Sequence, residues 1–490
     1  MTRSRFASFL CGWAGMLAAA FAIAASAPLG FDDARHLLNR TGFSATPDEI
    51  DAYAPLTREQ AADRLLSGVG GPATTPPPAW AGGFESPRRL RGMSAEQRKL
   101  AVREIFQKAF ELQSWWLTEM LVTASPLNER MTLFWHNHFV SSVRKVRSPE
   151  LMYRQNALLR QHAFGNFGGM LRAVARDPAM VVYLDSASNR KSQPNENFAR
   201  EVMELFTLGE GRYTEQDIKE AARAFTGWSI NIDTGDFMFR RALHDDGTKT
   251  VLGRTGNLDG DAVLDLLLAQ PQTAELIVTK LWREFVSLQP DSDEVRRMAR
   301  RFRDSGYDIR TAVRALLLSD AFYAPHNRAA LIKSPVEIVV GTLRQFQFTT
   351  GDVMPFVVIT NQLGQALFAP PNVKGWAGGE AWINSTTLLA RKTFLERLFR
   401  TEELKPMLAA AMERGAPMRG RQQENRERFI RALMEVQFDG GRWLGQFDGR
   451  APDAARRVLL ATAPVNEPLP GLDRMDLIRQ LTQDPVYQLK

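Results

Sequence analysis

An α-helical pattern runs along most of this 490-residue chain and limits the folds open to it. From Asp33 onward, apolar residues recur at intervals of three and four, with Ser, Thr, Asp or Pro at segment starts and Gly at segment ends. Residues 46–49, Thr-Pro-Asp-Glu, are typical of a helix start: an N-cap, a first-turn proline and two acidic residues. The pattern predicts a mainly α fold, a large multi-helix domain with one small β-hairpin.

The same periodicity gives approximate element bounds. Helices are predicted at 94–123, 126–139, 149–163, 166–176, 178–185, 195–208, 215–227, 260–269, 272–286, 292–304, 308–319, 334–346 and 474–482. The strand signals are 237–239 and 250–252, which flank His-Asp-Asp-Gly at 244–247 and predict a small hairpin. That loop has acidic groups for a cation but lacks EF-hand spacing, so a turn with Asx hydrogen bonds is favoured.

The chain is predicted to have three parts. Residues 1–27 are a signal peptide, 28–400 a helical core domain, and 401–490 a charged, partly helical C-terminal region. Within the core, residues 68–92 hold five prolines and several glycines, which predicts a surface connector. After Arg400 the chain becomes rich in charge and glycine, which is typical of an accessory region or a variable insertion.

The N-terminus has the order of a secretory signal. Arg3 and Arg5 precede an uncharged apolar stretch at 6–24, and Ala-Ser-Ala follows at 25–27. The alternative is an uncleaved anchor, since 6–27 could cross a bilayer that needs about 20 residues; the Ala and Gly content favours cleavage. We expect a periplasmic or secreted protein that is not attached to a membrane after cleavage. The only cysteine, Cys11, would be removed with the signal, which excludes thiol catalysis.

The positive charge does not indicate a nucleic-acid partner. Lys and Arg number 62 against 55 Asp and Glu, a formal charge of +7, but the arginines are dispersed and mostly close to acidic residues. No basic run alternates with aromatic residues as a single-strand binding surface requires. No nucleic acid is therefore expected among the partners.

The segment Phe-Trp-His-Asn-His-Phe at 134–139 is the first candidate for chemistry, because two histidines invite a metal site. Residues two apart on a helix point about 200° apart, so His136 and His138 could share a metal only in an extended segment. His138 shares a face with Met131 and Phe134 and is expected to be the more buried histidine. The alternative is a hydrogen-bonded core histidine.

The second candidate is the predicted helix that begins after Asn195 and ends at Gly209. It carries a ladder of Glu196, Arg200 and Glu204, with Asn197 and Glu201 on the adjoining flank. The functional interpretation is a carboxylate pair facing a cleft, as metal ligands or as a general acid and base, and Glu201 is the better placed because it borders the apolar stripe. The alternative is a solvated salt-bridge face.

The third candidate is a loop rich in Pro, Gly and Trp at 369–385. Lys374, Trp376 and Trp382 are candidate ligand-binding residues, because indole rings can stack on a sugar or a peptide, although buried tryptophans that anchor the loop are equally expected. Ser385 is predicted to cap the helix that follows. No phosphate-cradling loop, nucleophile elbow or dinucleotide fingerprint is present.

In this order the segments resemble the bacterial family called domain of unknown function 1800. The resemblance is carried by residues 36–43, 134–139, 177–180, 195–209, 221–228, 280–282, 333–337 and 373–376, and it covers about 31–399 with a weak extension to the final helix. It implies an exported, largely helical protein without an established activity, whose gene often neighbours that of a second exported family. Many relatives have histidine where this chain has Phe206, so a metal site using that position would be incomplete here.

The leading hypothesis is an envelope enzyme with a divalent metal as its candidate cofactor. His136, His138 and Glu201 are the predicted metal ligands. The predicted catalytic residues are Glu201, Glu204, His136 and Arg200, and the predicted ligand-binding residues are Trp376, Lys374, Trp382 and Asn197. The first alternative is a non-catalytic secretion, assembly or glycan-binding module; the second is a haem or other redox protein, for which the sequence has no binding motif. The expected partner is another exported protein encoded nearby or a cell-envelope polymer.

Overall fold

The computed structural model describes residues 27–413 and 421–490. The fold is mainly α with two small antiparallel sheets, which confirms the predicted fold class. Only Ala27 of the predicted signal peptide lies within the described residues. Across those residues, no helix is both long enough and apolar enough for a bilayer crossing.

The first part of the chain forms short and medium helices around one long one. In order they are α1 (Gly30–Thr41), α2 (Pro47–Tyr53), α3 (Arg58–Ser67), α4 (Ala95–Val122), α5 (Pro126–His138), α6 (Val143–Val146), α7 (Pro149–His162), α8 (Phe167–Ala175), α9 (Pro178–Tyr183) and α10 (Asn197–Glu201). A π-helix, Val202–Leu208, continues α10 directly.

The remaining helices follow the π-helix. They are α11 (Glu215–Ala224), α12 (Gly260–Ala269), α13 (Pro271–Phe285), α14 (Ser292–Asp304), α15 (Ile309–Leu317), α16 (Asp320–Tyr323), α17 (Pro335–Gln345), α18 (Met354–Gln362), α19 (Ser385–Phe399), α20 (Thr401–Glu413), α21 (Arg421–Met434), α22 (Gly440–Gly445), α23 (Ala454–Leu459) and α24 (Arg474–Gln483). Short 3₁₀ turns lie at Pro87–Leu90, Ser186–Ser188, Arg241–Leu243, Pro325–Asn327, Gly379–Trp382 and Pro485–Gln488.

Side-chain caps explain why the helix starts were predictable. Thr46, Ser94 and Ser334 each form a capping box with the residue three positions on, so the first unpaired backbone N–H groups are satisfied locally. One cap differs from the prediction: Asn384, not Ser385, caps α19, because its side chain accepts from the N–H of Thr387.

The strands pair differently from the predicted hairpin. β1 (Trp228–Ile230) pairs with β2 (Phe237–Phe239), and β3 (Lys249–Val251) pairs with β4 (Arg254–Gly256). The predicted pairing of 237–239 with 250–252 is wrong, because each segment has a nearer antiparallel partner. Between them Asp245 Oδ1 accepts from the N–H of Gly247 at 2.8 Å, which is the expected Asx hydrogen bond.

The C-terminal residues pack against the helical core. Trp443 Nε1 donates to the Gln345 carbonyl at 2.8 Å, and Tyr487 Oη lies 3.0 Å from Thr342 Oγ1. A β-bridge joins Ile332 to Leu489, which brings the Lys490 side chain beside α17. The division at residue 400 stays a prediction, but residues beyond it help to form the cleft described next.

Candidate functional site

A cavity of about 340 Å³ lies between α5, α13, the start of α17 and the loop that carries Trp376. We call it the cleft. Its walls include Phe134 and His138 from α5, and Trp376 and Trp382 from the loop. Five cationic side chains line it, namely Arg130, Lys280, Arg283, Lys374 and Lys490, against two acidic ones, Glu284 and Glu337. The cleft therefore carries an excess of positive charge.

The two carboxylates of the cleft contact only two of its cations. Arg130 forms ion pairs with both Glu284 and Glu337, and Lys490 pairs with Glu337. Arg130 and Glu337 are 2% and 5% exposed, so these charges are shielded from water. Burial opposes the ionised carboxyl, but Arg130 and Lys490 together hold the pKa of Glu337 well below its usual range. This buried group fixes the start of α17 against α5.

Lys280 lies on the cleft wall without a carboxylate partner among the residues described. Its Nζ is 2.9 Å from His138 Nδ1 and donates to the Leu205 carbonyl at 3.0 Å. Burial, and then the charge of Arg283, lower the pKa of Lys280 to about 8. Burial and the neighbouring Lys280 also lower the pKa of His138 well below 6.5, so the imidazole is neutral and accepts from the ammonium.

Asn137 ties the tryptophan loop to α5. The N–H of Trp376 donates to Asn137 Oδ1 at 2.8 Å, and Asn137 Nδ2 donates back to the Trp376 carbonyl at 3.3 Å. Trp376 is buried and packs on His136, so it anchors the loop, as the anchoring alternative expected. Trp382 is only half-buried and lines the cleft.

His136 and His138 are both buried, in different surroundings. His136 packs edge-on against Trp116 and does not line the cleft, whereas His138 does. The expectation that His138 would be the more buried is wrong, because Trp116, Phe368 and Trp376 enclose the opposite side of α5 as well. Burial lowers the pKa of His136 to about 3, so it is a neutral core residue.

The helix predicted at 195–208 is α-helical only as far as Glu201. The π-helix then widens the backbone, and Thr207 Oγ1 donates to the Val202 carbonyl, five residues back, at 2.5 Å. Such π segments are frequently found at functional sites. Here the π-helix carries Leu205, whose carbonyl holds Lys280, and Glu204, which accepts from Tyr213 Oη.

Glu201 and Glu204 do not line the cleft. Both interact electrostatically with Lys374, which does line it. Burial first, and then the charge of Glu204, raise the pKa of Glu201. Lys374 itself is exposed and pairs with Glu210 at 3.0 Å. These carboxylates therefore lie beside the cleft mouth, near one of its cations.

Two other predicted site residues point elsewhere. Arg200 forms ion pairs with Glu196 and Glu215 at 3.2 and 2.8 Å on the protein surface. Asn197 donates to Asp185 at 3.2 Å. Neither lines the cleft, so their catalytic and ligand-binding roles remain sequence predictions.

The described residues contain no group of three or more His, Cys, Asp and Glu side chains arranged to hold a metal ion. Two of the proposed metal ligands, His136 and His138, have different surroundings, and only His138 faces the cleft. Sequence reasoning missed Arg130, Arg283 and Lys490 as site residues. Lys280 and Glu337 lie in the segments 280–282 and 333–337, which carry the family resemblance. That resemblance was the signal that could have marked them as site residues.

Replacing Lys280 by methionine should stabilise the protein by about 1–2 kcal/mol at pH 7. Its folded-state pKa of about 8 lies below the ordinary 10.5, so folding disfavours the charged amine and costs about 3 kcal/mol below pH 8. The loss of the donor to His138 offsets about 1 kcal/mol of the gain. The penalty disappears as the pH rises to about 10.5, and the gain should shrink with it.

Urea unfolding at pH 7 and at pH 10 measures both effects. Lys219→Met, on the exposed face of α11, is the control and should change stability by less than about 0.5 kcal/mol. A Lys280→Met protein no more stable than wild type at pH 7 would contradict the desolvation of Lys280.

Comparisons with known proteins agree with the resemblance seen in the sequence. The family described as "Protein of unknown function (DUF1800)" matches residues 36–489, and so includes most of the C-terminal region as well as the helices that form the cleft. No match was found among curated proteins or among solved structures. Because the match spans nearly the whole chain, this protein belongs to the DUF1800 family.

Proposed function

We propose that this protein is an exported envelope enzyme that binds an anionic substrate group in the cleft. The observation that carries the proposal is the excess of positive charge around a cavity of about 340 Å³, where Lys280 and Arg283 have no ion pair within the described chain. Arg283 is exposed and Lys280 is half-buried on the cleft wall, and cations gathered around a partly enclosed cavity attract and orient anions.

Two titratable groups favour an enzyme over a passive binding module. Burial lowers the pKa of Lys280 and raises that of Glu201, so each is closer to neutral pH than usual. Groups shifted in this way are suited to proton transfer, and they cluster at active sites. The anionic group of the substrate is neutralised by Arg283, which lines the cleft and has no ion pair within the described residues.

The proposed location and ligand source come from the sequence. The basic, apolar and Ala-Ser-Ala order at 1–27 supports export, and N-terminal sequencing of the mature protein tests it. An exported protein meets the acidic polymers of the cell envelope, and a carboxylate or phosphate of such a polymer fits the charge of the cleft.

Small oxyanions should stabilise the protein by occupying the cleft. At constant ionic strength, phosphate and citrate should raise the midpoint of thermal unfolding relative to chloride, because they bind the folded state alone. Arg283→Gln should weaken phosphate binding about tenfold, since it removes one charged hydrogen bond worth about 1.5 kcal/mol.

The control is Lys219→Gln, which removes an exposed positive charge away from the cleft and should leave the phosphate effect unchanged. The same midpoint in phosphate, citrate and chloride would contradict the proposal. An equal loss of phosphate binding in both variants would show that only net charge matters.

A further inference from the structure

We propose that Lys280 is a reactive amine that forms an imine with a carbonyl-bearing carboxylate bound in the cleft. The ligand class is a small oxo acid, with an aldehyde or ketone for the amine and a carboxylate for the surrounding cations. This inference rests on the proposed binding of an anion, and it adds a covalent step at a named atom.

The surroundings of Lys280 differ from those of the other two lysines that line the cleft and from those of buried Lys333. Lys490 is paired with Glu337, and Lys374 is exposed and paired with Glu210. Lys333 is buried over the Tyr487 ring, 4.2 Å from its centroid, and does not line the cleft. Lys280 alone among these four lines the cleft without a carboxylate at its ammonium, and an unpaired, desolvated lysine is the usual form of an imine-forming amine.

The contacts of Lys280 also orient its amine. The Leu205 carbonyl and His138 Nδ1, at 3.0 and 2.9 Å, accept its N–H bonds. In the neutral amine, the two N–H bonds point at these two acceptors. The lone pair then occupies the one remaining tetrahedral direction.

The step balances without a co-reactant. The Nζ lone pair attacks the carbonyl carbon, and the C–O π electrons move to the oxygen. His138 Nδ1, already in contact with Nζ, accepts a proton and passes it to that oxygen. The carbinolamine C–O bond then breaks, and the oxygen leaves as water with both amine protons. The amine and the carbonyl have become an imine and one water. Arg283, which lines the cleft, would pair with the carboxylate of the ligand.

Reductive trapping of the full-length mature protein tests this proposal. Glyoxylate with cyanoborohydride at pH 7 should convert Lys280 to carboxymethyl-lysine, which peptide mass spectrometry locates. We expect Lys280 to be labelled at least tenfold faster than exposed Lys219. Acetaldehyde, which has no carboxylate, should label Lys280 at least tenfold more slowly than glyoxylate.

Two variants keep the test informative. Lys280→Arg retains the charge and should show no adduct at position 280, and Lys219→Arg should leave labelling of Lys280 unchanged. Labelling of lysines in proportion to their exposure would overturn the proposal, and so would equal rates with acetaldehyde and glyoxylate. If phosphate still stabilises the protein but glyoxylate does not label Lys280, the imine fails and the proposed function stands. If phosphate has no effect, the proposed function fails independently of this assay.

Discussion

Glu337→Gln should lower the free energy of unfolding by about 3–5 kcal/mol. Glu337 balances Arg130 and Lys490 in a region that water does not reach. Removing its charge leaves buried Lys490 without a carboxylate partner and leaves buried Arg130 with only the partly exposed Glu284. Its side chain also accepts from the Ser334 N–H at the start of α17, at 2.7 Å, and glutamine can keep that bond through its carbonyl oxygen. The loss is therefore mainly electrostatic. Urea unfolding at pH 7 measures it.

Lowering the pH should weaken the same ion pairs in the wild-type protein, because it protonates Glu337 instead of replacing it. Because the folded-state pKa of Glu337 is depressed, its contribution is present above the unfolded value of about 4.3 and is lost as the pH falls below it. The stability of Glu337→Gln should therefore depend less on pH in this range than that of the wild type.

Glu284→Gln is the matched control for Glu337→Gln, because both carboxylates contact Arg130. The Glu284 side chain is 32% exposed and pairs with Arg130 alone, so its loss should cost less than about 1 kcal/mol. Equal effects of the two substitutions would show that burial does not determine the strength of these ion pairs.

Gly375→Ala should destabilise the protein by about 3 kcal/mol and abolish the stabilisation by phosphate. Gly375 has a φ of +79°, which alanine adopts at a cost of about 1–2 kcal/mol. A Cβ there would collide with Asn137 Oδ1 and lie 2.8 Å from the Asn137 carbonyl oxygen, which adds about 1–3 kcal/mol. The loop must then move off α5, and Lys374 and Trp376 move with it. Thermal unfolding with and without phosphate measures both effects.

Gly378→Ala is the control that separates the cost of a positive φ from the effect of the steric collision with Asn137. Gly378 lies in the same loop with a φ of +73°, and a Cβ there meets nothing within 4 Å. Its ψ of −173° lies in a region that alanine adopts at a cost of about 1–3 kcal/mol, but the variant should keep most of the phosphate effect. If phosphate stabilises Gly375→Ala and Gly378→Ala to the same extent, the contact between Asn137 and the loop does not shape the cleft.

The helical architecture was predictable because its signals are local. The helix predicted at 94–123 is observed as Ala95–Val122, and the one at 292–304 as Ser292–Asp304. Apolar periodicity and capping residues act over a few positions, so they can be recognised in one sequence. The helices α20 to α23 were missed individually, because charged and glycine-rich segments there obscure the apolar period.

The hairpin pairing and the π-helix were not predictable in the same way. The strands are three residues long, so their periodicity carries little information about the partner. The widened turn at Val202–Leu208 leaves the order of apolar residues similar to that of an α-helix. Its consequence, a carbonyl aimed at Lys280, depends on α13, which lies more than sixty residues further along the chain.

The roles of the candidate site residues stay predictions. Among the residues that the sequence put forward, His138, Lys374, Trp376 and Trp382 line the cleft, and Glu201 lies near Lys374 at its mouth. The cationic wall was missed, because Arg130, Arg283 and Lys490 stand in segments that read as ordinary amphipathic or terminal sequence. Whether charged residues meet at one cavity depends on the distances between segments that are far apart in the chain, and the sequence does not give those distances directly.

Helix type, many helix bounds and family membership follow from the sequence alone, because each depends on short-range patterns or on residue order. Export stays a prediction from the residue order at 1–27. Only the tertiary structure decided which charges are buried, which are paired, and which face a common cavity. The physical reason is that desolvation and ion pairing depend on three-dimensional packing. The packing of α5, α13, α17 and Lys490 makes Lys280 an unpaired amine and Glu337 a fully paired carboxylate.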